Sequence, residues 1–244
     1  MGLLGLAIAI ACILVAQLLS GGSLLALIDF PAFLIVFGGT MGAIILQTPL
    51  SALRIALLQL AWVVNPPKSQ LLNQAERFEK WSMSARQYGL LALEDLSDDE
   101  PCEFTKMGLN LLVDGTDSDH IKQLLETEID IEQEKLEQGA KVYEAMGGYS
   151  PTIGIIGAVL GLIQAMAHLD NPSELGEGIA VAFVATIYGV GFANLLYLPI
   201  SNKLRAMHYQ IYLYQELTMQ GLLAIASGES GLQLRHRFQV YLRE

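Results

Sequence analysis

The chain has 244 residues, of which 52% are hydrophobic, and a formal net charge of −11. Its mean hydropathy of +0.42 lies above that of most soluble domains and predicts an integral membrane protein. The excess of acidic residues argues against nucleic acid as a partner, because DNA and RNA carry dense negative charge. The two cysteines, Cys12 and Cys102, lie in an apolar and a polar segment and predict free thiols.

Four apolar stretches are candidate membrane spans, and each is close to the ~20 residues that a helix needs to cross a bilayer. They cover residues 3–19, 31–48, 150–169 and 179–200. The short segments around 20–29 and 170–178 connect them in pairs. We therefore predict an all-α integral membrane protein with four transmembrane helices, in which residues 1–49 and 150–201 each form a hairpin.

The basic residues fix the predicted orientation. All 14 lysines and arginines lie in residues 54–141 or 203–243, and the two short connections carry only acidic charge. The positive-inside rule places these connections outside and both termini in the cytoplasm. Residues 50–149 are then a helical cytoplasmic domain, and residues 202–244 are C-terminal cytoplasmic helices.

Small residues recur at helical spacing in the second hairpin. Gly157 and Gly161 follow a G-x-x-x-G spacing, as do Ala185 and Gly189, and this spacing lets helices approach closely in lipid. A few polar side chains interrupt the two apolar runs; they are Thr152, Gln164, Thr186, Tyr188 and Asn194. Because a helix that faces only lipid has no need of them, we expect the hairpin to pack in an assembly and to line a polar path.

The sequence contains no catalytic or cofactor motif, and no pair of histidines has metal-ligand spacing. We therefore predict no enzymatic activity, no metal and no cofactor. The second hairpin also lacks an acidic residue within its apolar runs, although a buried carboxylate is the usual mark of an ion path and costs about 2.5–3.5 kcal/mol. If the chain handles ions, another subunit has to supply the acid.

Five stretches resemble the MotA/PomA family, the larger membrane subunit of the bacterial flagellar stator in the MotA/TolQ/ExbB proton channel superfamily. They are LIVFGGTMGA (34–43), ARQYGLLALEDL (85–96), GLNLLVDG (108–115), SPTIGIIGAVLGLI (150–163) and AVAFVATIYGVGFANLLYLPISNKL (180–204). The likeness extends over essentially the whole chain, in the family's order and spacing.

The resemblance implies a flagellar motor stator in the bacterial inner membrane. Five copies form a ring around a dimer of a single-span partner of the MotB/PomB type, which carries the membrane aspartate. Ions bind and leave that aspartate, and the ring turns against a rotor switch protein of the FliG type. The family thus couples ion flow to flagellum rotation and motility.

The resemblance also assigns roles to single residues. Arg86 and Glu94 match the charged pair that faces the rotor, with a solvated surface pair as the alternative. Pro151 and Pro199 match two prolines near the cytoplasmic ends of the third and fourth spans, where proline also serves to end helices. Thr186 matches a threonine that lines the ion path, with a hydrogen bond inside its own helix as the alternative.

Two further matches concern the coupling ion. Asp29 matches an acid near the outer mouth of sodium-type members, and a helix cap before Pro31 is the equally open alternative. Sodium-type members have threonine where this chain has Ala158, so one hydroxyl ligand is missing here. The resemblance therefore implies protons as the coupling ion, with Na⁺ less favoured.

Two other functions stay open at this point. An ExbB/TolQ-like energising subunit is similar in class, but those proteins have three spans and lack the N-terminal hairpin. A membrane scaffold that conducts nothing is the alternative from a different class.

Overall fold

The computed structural model describes residues 2–67 and 71–241, with side chains from residue 4 onward. All regular secondary structure in these residues is helical. The α-helices are α1 (Gly2–Leu19), α2 (Phe30–Phe33), α3 (Gly39–Gln47), α4 (Leu50–Val64), α5 (Leu71–Tyr88), α6 (Glu94–Asp98), α7 (Glu103–Val113), α8 (Ser118–Ala167), α9 (Pro172–Phe192), α10 (Leu198–Ala226) and α11 (Gly231–Phe238). One π-helical segment, Leu34–Gly38, joins α2 to α3, and another, Ala193–Tyr197, joins α9 to α10.

Three helical stretches are long and apolar enough to cross a membrane. They are Leu25–Gln47 and the apolar parts of Ser118–Ala167 and Pro172–Ala226, which overlap the predicted second, third and fourth spans. Leu4–Leu19 is also apolar but shorter. The first span, and with it the total of four, therefore stays a prediction.

One compact unit consists of the described part of Met1–Pro66 together with Glu137–Arg205. Its core is formed by α3, α4, α8 and the α9–α10 region, with Ile44, Tyr143 and Leu204 among the buried side chains. The Tyr143 hydroxyl donates a hydrogen bond to the Ala56 carbonyl (2.8 Å), and Ser201 donates one to the Ala140 carbonyl (2.9 Å). These bonds give the two buried hydroxyl groups an acceptor at helix contacts.

The second compact unit consists of the described parts of Pro67–Leu136 and Ala206–Glu244. Its core gathers large side chains from α5, the 3₁₀-helical segment Leu90–Leu93, α7, α8, α10 and α11. The fully buried ones include Phe78, Leu93, Leu109, Leu112, Ile121, Leu125, Leu217, Leu222 and Phe238. The predicted helices of the segments 50–149 and 202–244 are present. Residues 50–66, 137–149 and 202–205 belong to the first unit, with the apolar helices.

Two helices extend beyond the predicted spans. α9, which contains most of the predicted fourth span, begins at Pro172, because Asn171 caps it by accepting a hydrogen bond from Ser173 N–H (3.2 Å) and proline suits the first turn. α8 runs unbroken from Ser118 into the predicted third span. Gly147 lies where a Cβ would be 2.6 Å from Leu198 Cδ2, so this glycine permits a close contact and does not end the helix.

Candidate functional site

A seam of small residues joins α8 to α9. It comprises Gly154, Gly157 and Gly161 on α8 and Gly178, Ala182, Ala185 and Gly189 on α9. A Cβ added at Gly161 would lie 2.7 Å from both Gly178 O and Ala182 N, and one at Gly178 would lie 2.6 Å from Ala165 N. The two backbones are therefore in direct contact, as the G-x-x-x-G spacing predicted. We call this set of seven residues the glycine seam.

A buried hydrogen bond closes one end of the glycine seam. Ser150 Oγ donates to the Gly189 carbonyl at 3.0 Å, and a Cβ at Gly189 would lie 3.2 Å from Pro151 Cα. Pro151 lies inside α8 without breaking it. Because proline has no N–H to donate to the preceding turn, α8 lacks one backbone hydrogen bond beside its contact with α9 and can bend there more easily.

Pro199 has a similar location on the next helix. It is the second residue of α10, which begins directly after the π-helical segment Ala193–Tyr197, and the wider turn of that segment relieves the clash between a proline ring and the preceding turn. Its neighbour Leu198 contacts Gly147 of α8. Neither Pro151 nor Pro199 ends a helix: Pro151 lies inside α8, and Pro199 lies in the first turn of α10. Their role in conformational coupling stays a prediction.

Thr186 and Ala158 lie on one flank of the glycine seam. Each directly follows a seam residue, Ala185 and Gly157, and these two contact one another. In antiparallel helices that turn by about 100° per residue, the residues after two contacting positions point to the same side. The structure therefore brings Thr186 and Ala158 together on one side of the hairpin. Thr186 Oγ1 also donates to the Ala182 carbonyl (3.0 Å), as expected for threonine in a helix.

Asp29 is the N-cap of α2, so the interpretation as a helix cap is confirmed. Its Oδ1 accepts a hydrogen bond from Ala32 N–H at 2.7 Å. Its backbone N–H donates to the hydroxyl of Tyr188 on α9 (3.1 Å). Because Tyr188 is two residues, or about 200°, beyond Thr186 on this helix, the structure places Asp29 and Thr186 on opposite faces of α9.

Arg86 and Glu94 lie on either side of a sharp turn. Arg86 is in the last turn of α5, Glu94 begins α6, and Gly89 between them has φ +86° and ψ 171°, a conformation that is essentially restricted to glycine. Both charged side chains are exposed. Tyr88 and Leu91, each 70% exposed, lie between them in the sequence. The turn thus presents charged and large apolar side chains to solvent.

Several polar contacts were missed by sequence reasoning because their partners are distant in the chain. Tyr188 bonds the backbone at Leu27 and Asp29, and Arg205 forms ion pairs with Glu137 and Glu144. Such pairs leave no local pattern in the sequence. Both cysteines are free, as predicted.

Similarity to known proteins covers the whole chain. A family model described as the MotA/TolQ/ExbB proton channel family matches residues 97–216, and one described as Motility protein A N-terminal matches residues 3–79. Motility protein A of Bacillus subtilis is 32% identical over 98% of this chain and 89% of its own length. Chemotaxis protein PomA of Vibrio alginolyticus is 31% identical over 99% and 94%. The structure of C. jejuni MotAB includes a chain that matches with a TM-score of 0.95 and 30% identity, over 100% of this chain and 95% of that one.

Proposed function

This chain belongs to the MotA/TolQ/ExbB proton channel family and is a membrane subunit of the flagellar stator, and on that premise we propose that it couples proton flow across the inner membrane to flagellum rotation. The observation that carries the proposal is the match over the full chain to a subunit of a MotAB complex, with a TM-score of 0.95. The family is one of motor and channel components and not of enzymes.

The chain works with a single-span partner that supplies the ionisable group. The apolar runs of the second hairpin contain no Asp or Glu, so the ion has to be carried by a carboxylate of another subunit, of the MotB/PomB type. A ring of copies around that partner is proposed after the family, and the large apolar side chains exposed on α8 and α9, such as Ile163 (61%) and Phe183 (68%), are covered there by neighbouring subunits or by lipid. Five copies are the number that we propose, after the family.

The chain is oriented with both termini in the cytoplasm of a bacterial cell. The absence of Lys and Arg from the short connections supports this orientation by the positive-inside rule. The turn with Arg86 and Glu94 then faces a rotor switch protein of the FliG type. Its exposed Tyr88 and Leu91 support a protein contact there, because large exposed apolar side chains beside charges are typical of interfaces.

Swimming driven by this stator alone tests the function and its ion. A sodium site needs several oxygens at set positions, and Ala158 beside Thr186 offers a methyl group where a hydroxyl would be required. We expect swimming speed to stay unchanged in sodium-free medium and to fall to zero when the proton gradient is collapsed. A speed that rises and saturates with sodium concentration would contradict proton coupling. A motor that ignores both gradients would contradict the function itself.

Charge reversal at the rotor-facing turn is expected to impair motility without harming the fold. Arg86→Glu combined with Glu94→Lys reverses the charges of two exposed side chains. Exposed charges contribute little to stability. We expect a large loss of swimming, with normal amounts of protein in the membrane and normal co-purification with the partner. Lys122→Glu, which alters an exposed charge of α8 (52% exposed), is the control and is expected to swim normally. If the double reversal removes the protein from the membrane, the assignment is wrong.

A further inference from the structure

Tyr188 connects the second hairpin to the outer loop of the first. Its hydroxyl donates a hydrogen bond to the Leu27 carbonyl (2.7 Å) and accepts one from Asp29 N–H (3.1 Å). The ring stacks on Phe192 with centroids 5.7 Å apart and meets Phe33 edge-on at 6.5 Å. The ring contacts fix the direction of the hydroxyl, which in turn fixes the backbone of residues 27–29.

This contact provides partners for two backbone groups at the end of the loop. Backbone groups outside a helix need another partner where water is excluded, because lipid offers no hydrogen bonds. The Tyr188 hydroxyl is the acceptor for the Asp29 N–H and the donor to the Leu27 carbonyl.

The carboxylate of Asp29 is only half satisfied. Oδ1 accepts the hydrogen bond that caps α2. Within the described residues, no hydrogen bond or ion pair reaches the other oxygen. Asp29 is also the only charged side chain before Arg54. One oxygen of this carboxylate thus stays available to water or to a cation.

We propose that Tyr188 is a positioning residue for ion uptake: it holds the backbone of the loop at Asp29 against α9, so that the Asp29 carboxylate raises the local cation concentration beside this helix. The inference rests on the proposed ion-driven function. Asp29 and the Thr186 side of α9 are separated by about one helix diameter, or roughly 10 Å. At an effective dielectric constant of about 20, a unit charge at this distance changes the occupancy of a cation site by about tenfold.

The test compares Tyr188→Phe with Asp29→Asn in swimming cells. Tyr188→Phe keeps the ring contacts and removes only the hydroxyl. Asparagine is as good a helix cap as aspartate, so Asp29→Asn removes the charge and keeps the start of α2. The measured quantity is the external proton concentration at which swimming speed is half-maximal. We expect Asp29→Asn to raise this concentration by up to about tenfold and Tyr188→Phe to raise it severalfold. Maximal speed is expected to stay unchanged in both variants. The double variant is expected to shift no further than Asp29→Asn alone, because Tyr188 acts through Asp29.

Tyr149→Phe is the matched control. It removes a hydroxyl that donates to Gln47 Oε1 at 2.7 Å, and it is expected to leave the half-maximal concentration unchanged. Three results would each overturn the proposal. They are additive shifts in the double variant, no shift in Tyr188→Phe, and a loss that is confined to maximal speed or to the amount of protein. In all these cases the wild type still swims, whereas failure of the proposed function abolishes swimming in the wild type.

Discussion

Alanine at Gly178 is expected to disrupt the second hairpin, although alanine favours helices more than glycine does. The added Cβ would lie 2.6 Å from Ala165 N and 2.8 Å from Gly161 O. These are backbone atoms, which cannot rotate away, so α8 and α9 have to move apart along the whole glycine seam. Overpacking of this kind costs about 1–3 kcal/mol. We expect a clear fall in the thermal unfolding midpoint of the purified partner complex and a loss of swimming.

Gly176→Ala provides the control two residues earlier on the same helix. No atom lies within 4 Å of a Cβ at Gly176, so only helix propensity acts, and it favours alanine by about 1 kcal/mol. A second pair repeats the comparison: Gly189, where a Cβ would be 2.8 Å from Ser150 O, and Gly191, where nothing lies within 4 Å. If the two variants of each pair have the same unfolding midpoint and the same swimming, close backbone contact is not what holds the hairpin together.

Removal of the charge on Glu100 is expected to destabilise the second unit strongly. The Glu100 side chain is fully buried, forms an ion pair with Arg77, and accepts a hydrogen bond from Cys102 N–H (3.0 Å). Arg77 also donates to Gln74 and lies 4.7 Å above the Trp81 ring. Loss of one partner of a buried pair costs about 3–5 kcal/mol. We expect Glu100→Gln to lie near the lower figure, because the Arg77 side chain is 28% exposed.

Glu79→Gln is the matched substitution at an exposed ion pair. Glu79 pairs with Arg235, whose side chain is 64% exposed, and such pairs contribute little. The hydrogen bonds from Arg235 hold the pKa of the Glu79 carboxyl below its ordinary value of 4.5. The small contribution of this pair is therefore fully present at neutral pH and is lost as the pH falls through the lowered pKa. Denaturant unfolding of both variants at pH 7 measures the difference, and equal losses would contradict the distinction between buried and exposed pairs.

The apolar helices and the glycine seam were predictable because their signals are local. Twenty apolar residues define a span by length alone, and Gly157 and Gly161 mark a contact face by spacing alone. The start of α9 was missed because its first turn is polar: a capping asparagine and a proline begin a helix that hydropathy does not detect. The close contact of Gly147 with Leu198 inside α8 has no local signal in the sequence, because Leu198 is distant in the chain.

The contacts of Asp29 could not be derived from the sequence. The sequence offered a cap and a role in the ion path as equal alternatives, and the structure confirms the cap. It also adds Tyr188, which is 159 residues away and has no signal linking it to the loop. The ion-path and rotor assignments of Thr186, Ala158, Arg86 and Glu94 rest on family resemblance and stay predictions.

Complementation of a bacterium that lacks its own stator tests the central claim most directly. The chain is expressed alone, with its single-span partner, and with a partner whose membrane aspartate is replaced by asparagine. Swimming speed and membrane protein amount are measured for each. We expect swimming only with the intact partner, at equal amounts of this chain in all three strains. Swimming with the chain alone, or no swimming when both intact subunits are present in the membrane, would contradict a stator subunit that depends on its partner's carboxylate.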